Sequence, residues 1–261
     1  MGVRDTMIQI TPTKNLTGVT IRGDYADFDE LIDSIYRITG LEQDKTDRYY
    51  GVKIMLLGIC YDIRHAKQGD REIHLTDNGM DKDLMVWHKT VTPVQNVYYS
   101  VNILFPDAIF TAASFSEMCL WSSVYYGPHA KGYTEDMAAP SYMDFMRDRA
   151  NLNVLCAGIW QALAEVIGAD EAQKIYESRN REYGNYEDYV VHYVDKCNLE
   201  LIKTPVEKRK TKIRNIAKRI VKKPEGYYSM ERNLRYSAQH YGVTIYDLKD
   251  PRLEYPDEWE W

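Results

Sequence analysis

Residues 51–76, GVKIMLLGICYDIRHAKQGDREIHLT, decide how this chain is read. Val52, Met55, Leu56, Ile59, Cys60 and Ile63 recur at helical spacing and predict one continuous apolar stripe. Ile54, Leu57 and Tyr61 cover a second side, so the helix is expected to be buried on two sides. Gly69 ends it. Residues 71–76 then alternate as a strand does, with Ile73 and Leu75 inward and Glu72, His74 and Thr76 outward. A core helix feeding a short strand points to helices layered on a sheet.

The flanks extend that pattern. Residues 7–22 alternate around a Pro/Asn/Gly break, which puts Ile8, Ile10, Val19 and Ile21 on one face of two strands. Residues 24–40 read as a helix with Phe28, Leu31, Ile32 and Ile35 inward, Asp27 and Glu30 as its capping pair, and Gly40 as its stop. After the Asn78-Gly79 turn comes a short helix with Met80, Leu84 and Trp87 inward. Val97, Tyr99, Val101, Ile103 and Phe105 follow as the clearest strand. Pro106 opens a further helix rich in small residues. Beyond the Gly- and Pro-containing stretch 127–140 the strand signals fade. Helices are expected over 141–167, 170–182, 186–202, 206–222 and 229–241. The expected architecture is α+β. A small mixed or antiparallel sheet with packed helices fills 1–126, a linker fills 127–140, and 141–261 is mainly helical, either a second domain or continuous with the first.

Composition narrows the function classes. Four cysteines without a CxxC pair, each in an apolar helical pattern, suit a reducing cytoplasm better than a disulfide framework. The N-terminus carries no apolar signal core, and no apolar run reaches membrane-spanning length, so no membrane association is expected. Tyrosine outnumbers phenylalanine 22 to 5, which favours broad contact surfaces and self-association. No P-loop, GxGxxG or GxSxG is present, which argues against the common nucleotide-binding and serine-hydrolase classes.

Three stretches carry candidate chemistry. The exit of the central helix gathers Tyr61, Asp62, Arg64, His65, Asp70, Arg71, Glu72 and His74. A histidine oriented by a carboxylate near a second histidine can act as a general base or hold a divalent metal. Asp62, His65, Glu72 and His74 are therefore the catalytic candidates, with Tyr61, Arg64, Asp70 and Arg71 as binding groups. The spacing matches no standard metal motif, and no cofactor follows from it. The bland alternative is that these charges satisfy one another and the helix end.

The second stretch is basic. Residues 206–223 carry +8 in a chain of net charge −6, so the remainder sums to −14. Lys208, Arg209, Lys212, Arg219 and Lys222 project from a helix whose other face is Ile213, Ile216, Ala217, Ile220 and Val221. Such a face can contact nucleic-acid phosphates, or it can be the solvated side of a core helix. The third stretch, 237–250, has the spacing of a helix-turn-helix corner at Ala238, Gly242, Val243 and Leu248. Pro251 shortens any second helix, and Gly242 followed by Thr244-x-x-Asp247 also reads as a C-cap and then an N-cap.

The segments NLTGVTIRGDYADFDEL, GICYDIRHAKQGDREI and NVYYSVNILFPDAIF together resemble an uncharacterised family of bacterial cytoplasmic proteins. The resemblance covers roughly residues 7–120 and implies no activity. Three functions remain in competition: a non-catalytic binding or assembly protein acting as a homo-oligomer, a nucleic-acid-associated protein using 206–223, and a metal-assisted or acid–base hydrolase at the Asp62/His65/His74 cluster.

Overall fold

The computed structural model describes residues 8–41, 44–134, 136–179 and 185–261. Met7 at the expected start of the first strand, and the expected helix end at 180–182, lie outside them. The chain forms β1 (Gln9–Pro12), β2 (Gly18–Gly23), α1 (Tyr25–Thr39), α2 (Tyr50–Lys67), β3 (Glu72–Asp77), α3 (Lys82–His88), β4 (Gln95–Leu104) and α4 (Phe105–Ser122). Then come α5 (Tyr142–Ile167), α6 (Ala169–Ser178), α7 (His192–Ile202), α8 (Val206–Lys222) and α9 (Glu225–Tyr241). The fold is α+β.

The sheet is antiparallel throughout, in the order β1-β2-β4-β3. Its register pairs Ile10 with Ile21 and Ile21 with Val101, while Val19 pairs with Ile103. Paired residues share a face, so the period-2 pattern of the sequence is met in space. That face carries α1, α2 and α5. The Gly23 backbone lies against the Phe28 ring, and Gly158 of α5 lets that helix lie on β1, where an added Cβ would come within 2.5 Å of Ile10 Cδ1. The opposite face is polar. There the Thr20 hydroxyl donates to Asn102 Oδ1 at 2.7 Å and Arg22 Nη2 donates to the Thr76 hydroxyl at 2.9 Å.

α1 starts one turn earlier than its expected capping pair. Asp24 is the cap and Asp27 its partner: Asp24 accepts from the Asp27 amide at 2.8 Å, and Asp27 accepts from the Asp24 amide at 3.0 Å. α2 buries Val52, Leu56, Ile59, Cys60 and Ile63 as its stripe predicts. Its second side is only partly covered, because Tyr61 is 52 % exposed. The helix packed from all sides is α4, where Ala108, Ile109, Phe110, Ala112, Ala113 and Phe115 are all buried.

Three expectations for the second half change. Residues 186–191 are not helical. Asp188 adopts a left-handed conformation (φ 53°) while Tyr186, Tyr189 and Val190 fill the core, so α7 begins only at His192. Of the stretch 127–140, both ends lie against the body, with the Gly127 amide on Pro140 O at 2.7 Å and the Lys131 amide on Val124 O at 2.8 Å. One buried cluster runs from Ile10 through α4 and α5 to Ile245, so the core is continuous across 127–140. No second helix follows Gly242. Thr244 and Asp247 cap a single 3-10 turn, Ile245–Asp247, and the helix-turn-helix corner is absent.

Among the described residues one helix, α5, is long and apolar enough to cross a membrane by length and composition. The length of uninterrupted apolar runs does not single it out. In the fold Leu152, Leu155, Ile159 and Leu163 of this helix are core residues packed with α1, α4 and β1.

Candidate functional site

The polar exit of α2 is not one site. The Tyr61 ring lies 4.3 Å from the His65 ring, and His65 Nδ1 meets Asp70 Oδ2 at 2.8 Å. Asp62 instead accepts from Arg71 Nη2 at 3.3 Å. Burial raises the Asp62 pKa, and the Arg71 hydrogen bond and charge oppose that rise. Arg64 Nη1 reaches the Tyr36 hydroxyl at 3.4 Å. His74 lies elsewhere: its Nε2 meets the Ser100 hydroxyl at 2.8 Å and Glu72 Oε2 at 3.7 Å. Strand alternation explains the separation. Ile73 pairs with Tyr99 on the helix-bearing face, so Glu72 and His74 fall on the polar face while His65 rides on α2 over the other. The structure joins His65 to Asp70 and Asp62 to Arg71, and does not join either to His74. Among the described residues no group of three or more His, Cys, Asp or Glu is placed to hold a metal ion.

The basic helix is largely committed to its own chain. Arg209 is buried and donates to Thr204 O, Asn15 O and the Thr17 hydroxyl at 2.9, 2.7 and 2.6 Å. Arg219 forks onto Glu200 at 2.8 and 3.2 Å and donates to Tyr193 Oη at 3.1 Å. Lys212 also reaches Glu200, at 3.3 Å. The hydrogen bonds and charge of Arg219 and Lys212 hold the Glu200 carboxyl below the usual range against the opposing effect of its burial. Lys208 and Lys222 are exposed. Because the helix uses Arg209 and Arg219 to fasten itself, Arg209→Ala is expected to cost about 2–3 kcal/mol, since one buried and two half-buried acceptors lose a charged donor. Urea unfolding checks this, and a loss under 0.5 kcal/mol refutes the fastening role.

Two carboxyl groups, one buried and one half-buried, are not marked by any motif in the sequence. Asp148 on α5 is fully buried among Ser34, Arg37 and Tyr126. A signal for it exists, because Asp148 stands four residues before Leu152 on the apolar stripe of α5. Asp107, in the first turn of α4, accepts from Asn198 Nδ2 at 2.8 Å. The same nitrogen donates to Tyr255 Oη at 2.8 Å, and Tyr255 donates to Asp195 at 3.0 Å. Burial pushes the Asp107 carboxyl up to about 7 and also raises Asp195. A cavity of about 610 Å³ lined by His192, Asp195, Asp250 and Tyr255 adjoins this chain of bonds. His192 Nε2 donates to Leu248 O at 3.2 Å. No sequence signal ties Asp107 to Asn198 or Tyr255, which lie far along the chain.

The tyrosines also divide differently from expectation. Tyr126, Tyr186, Tyr189 and Tyr227 are fully buried, so some of the excess builds the core. Lys223 ends α8 with its ammonium 5.9, 5.3 and 5.7 Å from the rings of Tyr186, Tyr189 and Tyr227.

Exposed apolar side chains gather around the end of α4 and the start of α5, at Leu120, Trp121, Met143 and Met146, and on the arm made by β3, α3 and the first half of β4. Ile73 and Leu75 pair with Tyr99 and Val97 and so share the helix-bearing face, as their alternation predicts. They are not covered. Ile73 is 52 % exposed, Leu75 61 % and Val97 42 %. α2 stops at Lys67, and beyond it Ile73 Cδ1 lies 3.6 Å from the Cβ that Gly69 lacks. α3 buries none of its residues, and Trp87 is 81 % exposed, against the inward placement its spacing suggested.

No curated protein and no solved structure matches this chain. A family model does match, over residues 8–261, and so takes in the helical half as well as the sheet. The chain belongs to the family described as Domain of unknown function (DUF6904).

Proposed function

We propose that this protein is a non-catalytic assembly protein and that the β3–α3–β4 arm is its docking surface. One observation carries the reading: the apolar face of the sheet runs on past the last helix that covers it, onto an edge strand that no other strand among the described residues pairs on its outer side. An uncovered apolar face costs solubility, and an open edge invites pairing, so natural chains keep such features where something docks. The opposite edge supports the contrast, because β1 lies under α5 and the Asn15 amide just beyond it is bonded to Trp261 O at 3.1 Å. The four buried, unpaired cysteines support a reducing cytoplasmic setting.

The alternative readings draw less from the geometry. The candidate catalytic residues fall into separate pairs, and Arg209, Lys212 and Arg219 of the basic candidates serve partners within the chain.

The test is photo-crosslinking in cells from single positions, with the product identified by mass spectrometry. Positions 75 and 87 are expected to give one discrete product, and position 20 on the polar face none. No product from 75 or 87 overturns the reading. Trp87→Ser is expected to change the stability of the isolated chain by less than about 0.5 kcal/mol, because an exposed ring contributes little to the fold. A clear loss in thermal unfolding would show that the ring serves the fold instead.

A further inference from the structure

We infer that the occupant of the arm is a second copy of this chain, paired β3 to β3 in antiparallel register about His74. The inference rests on the docking reading above and adds the partner and the register. β3 is the open edge of an antiparallel sheet, and two copies can meet there about a two-fold axis, each offering the same strand.

Few registers keep both sheets facing the same way. Residues opposed across an antiparallel pair share a face, so odd positions must meet odd positions if the apolar faces are to run on from one sheet to the other. Centring the pair on Ile73 sets Leu75 against the partner's Arg71. Centring it on Leu75 sets Ile73 against the partner's Asp77. Both oppose a charge to an aliphatic side chain. Centring it on His74 removes each conflict. Ile73 then meets the partner's Leu75, and Leu75 meets the partner's Ile73. Arg71 meets the partner's Asp77 at both ends, and Glu72 meets the partner's Thr76. The strand is self-complementary in apolar character and in charge in that one register.

Among the described residues the side chains at both ends of the pairing remain open to a partner. Arg71 is half-exposed and spends Nη2 on Asp62 at 3.3 Å and Nη1 on the Asp70 carbonyl at 3.2 Å, which leaves Nε. Asp77 spends one oxygen on the Gly79 amide at 2.7 Å. Both keep polar atoms for a partner. The pairing joins two four-stranded sheets into one of eight strands and satisfies the outer backbone groups of β3. It also draws the tip of each arm, with Val86 and Trp87, alongside the end of the partner's α2, where the sheet is uncovered.

All four native cysteines are buried, so an introduced surface thiol reports alone. The full-length chain is examined by sedimentation velocity over a range of concentrations and by mild oxidation of single-cysteine variants. The expected result is a concentration-dependent dimer. His74→Cys should be oxidised to a covalent dimer at least about tenfold faster than Glu72→Cys or Thr76→Cys alone, because only position 74 opposes itself. A mixture of the Glu72→Cys and Thr76→Cys chains should cross-link while leaving His74 intact, which guards against any folding defect of the first variant.

Charge exchange gives a second readout. Arg71→Asp and Asp77→Arg are each expected to weaken the dimer at least about tenfold, and the double variant to restore it, because the two pairs are then reversed together. Oxidation without preference for position 74, or a double variant no better than the singles, overturns the inference. A chain that stays monomeric while positions 75 and 87 cross-link to a different protein in cells overturns the second copy and leaves the docking arm standing. Monomeric behaviour with no cross-link overturns both.

Discussion

Asp148→Ala is expected to cost about 3–5 kcal/mol, the loss typical of breaking a buried ion pair from one side. The carboxylate has no exposed surface, and every strong contact it makes is to another element. Arg37 of α1 grips it with two parallel bonds, Nε to Oδ2 and Nη2 to Oδ1, both 2.8 Å. The Ser34 hydroxyl donates at 3.0 Å, and the Tyr126 hydroxyl, just past α4, donates at 2.9 Å. Asn151 supports Ser34 at 3.0 Å. Alanine leaves a guanidinium and two hydroxyl groups without their acceptor in the seam between α1 and α5. Hydrogen bonding to Asp148 holds the Arg37 pKa above its ordinary value, and burial with the neighbouring carboxylate raises Tyr126, so both groups keep their protons throughout the working range.

The companion variant Arg37→Met is expected to be at least as harmful, since it strands a carboxylate in the interior. Combining it with Asp148→Leu should recover much of the loss, because an apolar pair avoids the desolvation that the ions required. For a chain of this size the single loss corresponds to a fall in melting temperature of roughly 10 °C. A cost below 1 kcal/mol for Asp148→Ala would mean that water reaches the carboxylate and that the seam is held by Phe28, Leu31, Leu152 and Leu155 alone.

The contrast between legible and illegible features is one of range. Ile10, Val19 and Ile21 are found by alternation, and Ile213, Ile216 and Ile220 by helical spacing, because each pattern is written within one element. Gly242 and the Thr244/Asp247 pair are legible as caps for the same reason, and their bland reading is the one the backbone follows. Alternation also places Ile73 and Leu75 on the correct face of the sheet. It cannot show that α2 ends too soon to cover them, because coverage belongs to a neighbouring element. The same distinction divides the candidate site residues in space. Asp62, His65 and His74 are close in sequence, but a strand that sends Ile73 to one face must send His74 to the other. Arg209 looks like a solvated cation by its place on α8. Only the fold brings Asn15 and Thr17 against it.

Asp107 is the case in which distance along the chain hides the most energetic group, and its prediction follows from proton linkage. Folding raises its pKa from 3.8 to about 7, chiefly by burial, with a smaller push from the Asp195 charge and an opposing pull from Asn198. Between those values the folded chain holds a proton that the unfolded chain has released. Stability from this group is therefore fully present below pH 4, declines as pH rises, and reaches its floor above pH 7. The ceiling on the loss is about 4 kcal/mol, from roughly three pKa units at 1.36 kcal/mol each. Asp107 keeps some contact with solvent, which lowers the figure in practice.

Asp107→Asn keeps the shape and the acceptor for Asn198 but cannot ionise. It is expected to raise stability by about 2–4 kcal/mol at pH 8 and by less than half as much at pH 5, where the unfolded carboxyl has ionised but only about a third of the span between the two pKa values has been crossed. The comparison is made between variant and native chains at each pH, so the exposed carboxylates elsewhere cancel. Asp107 also stands in the first turn of α4, where a negative charge is favoured by the helix dipole by up to about 1 kcal/mol. If that attraction governs the group, Asp107→Asn will be destabilising at pH 8 and the sign of the effect will reverse. Thermal unfolding at the two pH values therefore decides between burial and the helix end as the force that sets this proton.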